Sequence, residues 1–353
     1  MRIVGGGDRP GRVGRGRRSA TQRKAARPEQ DAASSTRRGP RSRETQMKAV
    51  TVDAYGETPR LTDQPLPKVG PDSVLVRVKA AGLNPVDWRV AEGAVDPLLN
   101  VYFPLTMGWD VAGVVEQVGV AVTEFVEGDE VIAYNRQDFA QFGTWAEYTA
   151  VPLRALARKS SAMSWEEAGG LPLAGLTAYQ ALAAAHVNGG GTILVHAAGG
   201  GVGGFATQIA ASRGARVIGT TSRIDSFPFL RELGAEPVLS GEGLADRVRG
   251  LAPEGIDAAL DFLGGDSVAV SAEVVRDRTR IVSVVDGSVK ALGGRYVWVH
   301  PSGADLRALN ALAEAGSLRV HVSRDFALAE ADQAVQLSRT GTVRGKIVLT
   351  VPG

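Results

Sequence analysis

The 353 residues, 44% hydrophobic and 22% charged, have the composition of an ordinary globular protein with room for two domains and a sizeable core. The chain contains no cysteine, which excludes disulfides, thiol nucleophiles and thiolate metal sites, and its four histidines, at 186, 196, 300 and 321, show no metal-ligand spacing. No apolar run approaches the roughly 18 residues that cross a bilayer, so no membrane span is expected.

The formal net charge of +2 hides an uneven distribution. Residues 1–46 hold twelve Arg and one Lys against four acids, whereas the rest of the chain has 27 basic and 34 acidic residues. The first 46 residues nearly lack large apolar side chains and are read as a disordered basic extension. Their acids and the lack of an apolar face argue against a transit peptide, and no apolar core marks a secretory signal, so a cytoplasmic protein is expected. Nucleic acid is not an expected partner of the mildly acidic body.

From Met47 to about Leu171 the pattern is mostly β. Val74, Val76, Val78 and Ala80 alternate with Leu75, Arg77 and Lys79, and further strands are expected at 111–118, 130–134 and 144–151, which suggests a barrel or sandwich. After Leu171 the rhythm becomes βαβ. A helix near 176–186 is followed by strands near 192–195, 215–220, 237–239, 257–262 and 280–285, with helices at 202–213, 227–233, 244–251 and 266–275. That succession predicts a doubly wound parallel sheet over 172–294. Helices at 304–315 and 328–338 and a strand at 346–351 then return to the first domain, which takes 47–171 and 295–353.

The most informative stretch is 192–220. An apolar run, Thr192-Ile193-Leu194-Val195, leads into a loop almost without side chains (196–204, HAAGGGVGG). A helix follows, with Val202, Phe205, Ala206, Ile209 and Ala210 on one face. Strand, glycine turn, helix and second strand in that order make a dinucleotide site. Bare backbone at Ala198, Gly199, Gly200, Gly201, Val202 and Gly203 can approach a pyrophosphate, and the helix start favours its charge. The second strand ends in Gly219-Thr220-Thr221-Ser222-Arg223, with no acid to accept a ribose 2′-OH. Ser222 and Arg223 suit a 2′-phosphate instead, which points to NADPH. Asp225, beyond the strand end, reads as a helix-start residue.

The motifs together resemble the zinc-independent medium-chain dehydrogenase/reductases, and most closely their NADPH:quinone oxidoreductase, zeta-crystallin-like branch. The matching pieces are Gly82-Leu83-Asn84-Pro85-Val86-Asp87, Gly108-Trp109-Asp110-Val111-Ala112-Gly113, Gly143-Thr144-Trp145-Ala146-Glu147-Tyr148, Leu171-Pro172-Leu173-Ala174-Gly175-Leu176-Thr177-Ala178, the glycine loop, and Arg344-Gly345-Lys346-Ile347-Val348-Leu349. The resemblance implies an α/β protein with a GroES-like β-barrel catalytic domain, completed by the C-terminal segment, and a Rossmann domain. It implies a homo-oligomer as well, a homodimer or a tetramer. In zinc-dependent relatives a Cys stands at the position of Asn84 and a His-Glu pair at Trp109-Asp110, so no metal is expected here.

By the same resemblance Thr177 lies near the cofactor phosphates, Asn84 beside the nicotinamide, and Lys346 in the cofactor set. Leu263-Gly264 and Val284-Val285 fall at strand ends on the ligand edge of the sheet. Asp261 reads as a loop-capping residue, and Asp87 and Arg89 as a surface pair. The remaining chemistry is hydride transfer to a quinone or, alternatively, to an enone (an α,β-unsaturated carbonyl). Asn84 is the candidate donor to the developing oxyanion and Tyr134 the candidate proton donor. A non-catalytic NADPH- or RNA-binding protein is a further alternative.

Overall fold

The computed structural model describes residues 46–352. The predicted basic extension lies outside the described residues, apart from Gln46.

The barrel is organised on Ser73–Leu83, the longest strand. Its outward Arg77 and Lys79 are half-exposed, while the alternating Val74, Val76 and Val78 are buried, which fixes its register. It pairs antiparallel with Asp110–Val118 along one edge and with Tyr148–Pro152 along the first part of the other. The rest of that second edge, Ala80 to Leu83, is taken by Lys346–Thr350. The sheet continues outward through Glu130–Tyr134 and Leu156–Arg158 on one side and Val322–Ala327 on the other. Gln46–Val52, Arg60–Pro65 and Leu105–Thr106 form a smaller sheet.

Three departures from the sequence pattern have physical reasons. The strand expected at 144–151 begins at Tyr148, because Trp145 and Glu147 bond irregularly to Met107 and Lys48 instead of joining a ladder. Val322–Ala327 has no visible alternation because it is an edge strand in which Phe326 alone is buried. The helices Pro85–Ala91 and Trp165–Gly170 have seven and six residues, too short to show a helical period.

The second sheet has six parallel strands in the order Ala235–Leu239, Arg216–Thr221, Thr192–Val195, Ala258–Asp261, Ile281–Ser283, Arg295–Tyr296. Its strands are continuous apolar runs because both faces are covered. Ile193, Val195, Val217 and Leu260 join the main core, whereas Leu194, Ile218 and Ala259 join a second cluster with Val248 and Ile256. The sixth strand lies past Gly294, so the sheet runs further than the expected boundary. A two-residue edge strand gives no pattern to read. Helix Pro172–Ala184 is buried over most of its length and packs against Gly201–Ser212 and Gly303–Glu314. Among the described residues no helix is long and apolar enough to cross a membrane.

Candidate active site

The glycine loop is held from below by its neighbour strand. Ala197 N–H donates to Thr220 Oγ1 at 3.1 Å and Ala198 N–H to the Thr220 carbonyl at 3.0 Å. Helix Gly201–Ser212 starts from Gly200 without a side-chain cap and has no acid in its first turn. Its first N–H groups therefore have no partner within the helix, and they sit at the positive end of the dipole. Two of its glycines lack space for a side chain: a Cβ on Gly203 would lie 2.2 Å from the Ala197 carbonyl oxygen, and one on Gly201 3.0 Å from Lys346 Cδ. Uncapped donors behind bare backbone fit a dinucleotide pyrophosphate.

Ala197 itself has φ 54°, in the left-handed region that a Cβ disfavours. Ala197→Gly is expected to stabilise the protein by about 0.5–1 kcal/mol, the relief of that conformation less the added freedom of the unfolded chain. Urea unfolding checks this; a loss of stability would show that the alanine methyl contributes packing instead.

At the end of the second strand Ser222 and Arg223 are exposed, as a cofactor contact requires. Arg223 is not free, however. It makes a bidentate pair with Asp225, Nε to Oδ1 at 3.0 Å and Nη2 to Oδ2 at 2.6 Å, and Arg344 Nη2 reaches the same Oδ2 at 2.8 Å. Asp225 lies, as expected, at a helix start, in the 3-10 turn Ile224–Ser226 that leads into helix Phe227–Glu232, and its carboxylate serves two guanidinium groups as well. The Arg223 hydrogen bond holds the Asp225 carboxyl below its ordinary range.

Asp261 is the loop cap that the sequence suggests, on a larger scale than expected. Fully buried, its Oδ1 accepts from Leu263 N–H (3.0 Å), Gly264 N–H (2.9 Å) and Ser267 Oγ (2.6 Å), and its Oδ2 from Ser283 Oγ (2.6 Å). One carboxylate therefore fixes both expected cofactor loops, on which Leu263 and Val285 are exposed and Val284 is half-buried. Beside it His196 is buried, and burial pushes its pKa down to about 4. Ser271 Oγ donates to the Ser267 carbonyl, so the 2.9 Å contact with His196 has Nε2–H as donor and the ring is neutral.

Thr177 is buried, and its hydroxyl donates to the Leu173 carbonyl at 2.7 Å within its own helix.

The barrel contributes a buried polar cluster. Asn84 precedes helix Pro85–Ala91; its N–H donates to Asp87 Oδ2 at 2.7 Å, and its Nδ2 to Asp110 Oδ2 at 2.8 Å. Asp110 Oδ1 accepts from Leu173 N–H at 2.6 Å. Lys346 Nζ donates to the Leu83 carbonyl at 3.0 Å and to Asn84 Oδ1 at 2.5 Å. Burial raises Asp110 to about 6, although the ammonium, the Asn84 amide and the Leu173 N–H all oppose the shift. Burial raises Asp87 too, helped by the charge on Asp110, and lowers Lys346. Asp87 Oδ1 has no hydrogen-bond partner among the described residues.

Four expectations change here. Asn84 is 2% exposed, and its amide is turned inward onto Asp110 and Lys346, so it orients the cluster and does not face an open cleft. Lys346 lays its stem on the glycine loop while its ammonium points into the barrel. Tyr134 is 1% exposed, packed edge-to-face on Trp109, with its phenol pKa pushed far up by burial, so it is not an accessible acid. Asp87 and Arg89 do not pair: Asp87 is buried, and Arg89 stacks on Trp88. The donor set does not fit zinc, since it offers no thiolate or imidazole and already has an ammonium against its carboxylates.

Residues 70–161 match the alcohol dehydrogenase GroES-like domain and residues 233–349 the zinc-binding dehydrogenase family, which together define an oxidoreductase that uses a pyridine nucleotide. Similar curated proteins include a 2-methylene-furan-3-one reductase from Solanum lycopersicum, 34% identical over 320 residues, covering 86% of this chain and 79% of the relative. An Arabidopsis thaliana NADPH-dependent alkenal/one oxidoreductase is 34% identical over 318 residues, with the same coverage. Among solved structures, a quinone oxidoreductase from Coxiella burnetii superposes with a TM-score of 0.77 at 32% identity, covering 87% of this chain and all of that one. The chain belongs to the zinc-independent medium-chain dehydrogenase/reductases, in their quinone oxidoreductase family.

Proposed function

We propose that this enzyme transfers hydride from NADPH to a quinone without metal assistance. The observation that carries the reading is the Lys346 ammonium, which is bonded to Asn84 in a buried cluster with Asp110, the two residues that by the resemblance stand where zinc-dependent relatives have ligands. A site so furnished suits an acceptor that needs no Lewis acid. When bound, the nicotinamide supplies the hydride. The N–H groups at the start of Gly201–Ser212 hold the pyrophosphate, Ser222 and Arg223 read the 2′ position, and exposed Leu263 and Val285 cover the cofactor with apolar surface. With Tyr134 enclosed, we assign the proton on the product oxygen to water. The Arabidopsis relative is named for NADPH.

A carbonyl-conjugated alkene is the second acceptor class, favoured by the two plant relatives named for such substrates. A panel of quinones and enals, assayed at 340 nm with NADPH and NADH and with or without chelator, separates the readings. We expect NADPH oxidation with quinones, unaffected by chelator. Faster turnover of simple enals would move the assignment to the alkene, and no turnover with either class would overturn both.

A further inference from the structure

We infer that Asp225 is an internal stand-in for the cofactor's 2′-phosphate, and that Arg344 is the second cation of the subsite it occupies. The inference rests on the NADPH reading and deepens it. Two guanidinium groups from distant parts of the chain converge on one carboxylate at the end of the second strand of the parallel sheet, where the ribose 2′ substituent of a dinucleotide is read. A lone salt bridge would need one arginine. The second is delivered by the segment that returns to the barrel.

That segment is fixed on the cradle itself. Gly345 N–H donates to the Gly199 carbonyl at 3.1 Å, and Gly345 forms a parallel bridge with Gly200. Gly345 has φ 74°, and a Cβ there would lie 2.2 Å from the His321 carbonyl oxygen, so this approach requires glycine. Arg344, the residue before it, is thereby held at a set distance from the pyrophosphate loop. The carboxylate presents two acceptor oxygens in the space where a phosphate would present three and more charge. Arg223, Asp225 and Arg344 have side-chain exposures of 45%, 59% and 34%, so the cluster is open to solvent and weakly held, and a dianion can displace Asp225. In that exchange Asp225 competes with the cofactor: it lowers NADPH affinity while keeping both guanidinium groups ordered for it.

The test is calorimetric titration of the full chain with 2′,5′-ADP, which carries the 2′-phosphate, and with 5′-AMP, which does not. Arg344→Gln and Arg223→Gln should each weaken 2′,5′-ADP about tenfold, the loss of one charge-assisted contact, with 5′-AMP unchanged. Asp225→Asn should tighten 2′,5′-ADP several-fold and leave 5′-AMP unchanged, which also verifies folding. If Arg223→Gln weakens 2′,5′-ADP and Arg344→Gln does not, the inference fails while the NADPH reading stands. If Asp225→Asn weakens 5′-AMP, the carboxylate reads a 2′-OH, and the stand-in role is overturned. If the unmodified protein binds 2′,5′-ADP no better than 5′-AMP, the NADPH reading fails and takes the inference with it.

Discussion

Replacing Lys346 with methionine is expected to destabilise the protein by about 3–5 kcal/mol at pH 8 and by distinctly less at pH 5. Methionine keeps much of the stem that lies against Gly201, so the loss falls on the ammonium. Removing it takes a donor from the Leu83 carbonyl and from Asn84 Oδ1 and leaves the buried Asp110 carboxylate without its counter-charge. The sign with pH follows from Asp110. Its folded pKa of about 6 stands above the ordinary 3.8, so its ionisation weighs against folding progressively as pH rises from about 3.8 to 6, and fully above that. Without the ammonium the folded value climbs further, and the penalty at pH 8 grows. At pH 5 the carboxyl is mostly protonated in the folded state with or without the ammonium, so less is lost. Urea unfolding at the two pH values measures the difference, and an equal loss at both would show that the lysine is not coupled to the carboxylates.

Asp261→Ala is the second large effect, with an expected cost of about 3–4 kcal/mol. The change strands two hydroxyls in a buried site and two backbone N–H groups in a part-buried loop, and each unmet donor costs about 1–3 kcal/mol, less where a hydroxyl can rotate to another acceptor or water reaches the N–H. Asp261→Asn should cost only about 1 kcal/mol, because one oxygen still accepts. Both loops that frame the expected cofactor path lose their anchor in the alanine variant, so nucleotide affinity should fall along with stability. Denaturant midpoints and a nucleotide titration measure the two effects. A cost below about 1 kcal/mol for alanine would mean that water replaces all four contacts.

What could be read from the sequence divides along the distance between partners. Helix Leu244–Leu251 has the bounds expected, since Leu244, Val248 and Leu251 fall on one face between a glycine and a proline. The glycine cradle was equally legible, because strand, turn and helix follow one another directly. The Asn84–Lys346 bond joins residues 262 positions apart, and no local pattern announces it. Arg223 is visible in the sequence as a cation at the strand end, but its neutralisation by Asp225 and the arrival of Arg344 depend on the fold. Tyr134 misled for another reason. Its strand Glu130–Tyr134 is buried on both faces after the first residue, and a polar side chain at such a strand's end looks as if it opens on a cleft.

The pairing of Ser73–Leu83 also sets an order of assembly. Asp110–Val118 and Tyr148–Pro152 are available soon after this strand is synthesised, but the partner of Ala80 to Leu83 is Lys346–Thr350. On a ribosome the whole parallel sheet emerges before that partner does. Until then the barrel has an unpaired strand edge that leads straight into Asn84, a place where a second chain can add itself. Folding of the barrel is therefore completed from the far end of the chain, and the buried Asn84–Lys346 contact is among the last to form.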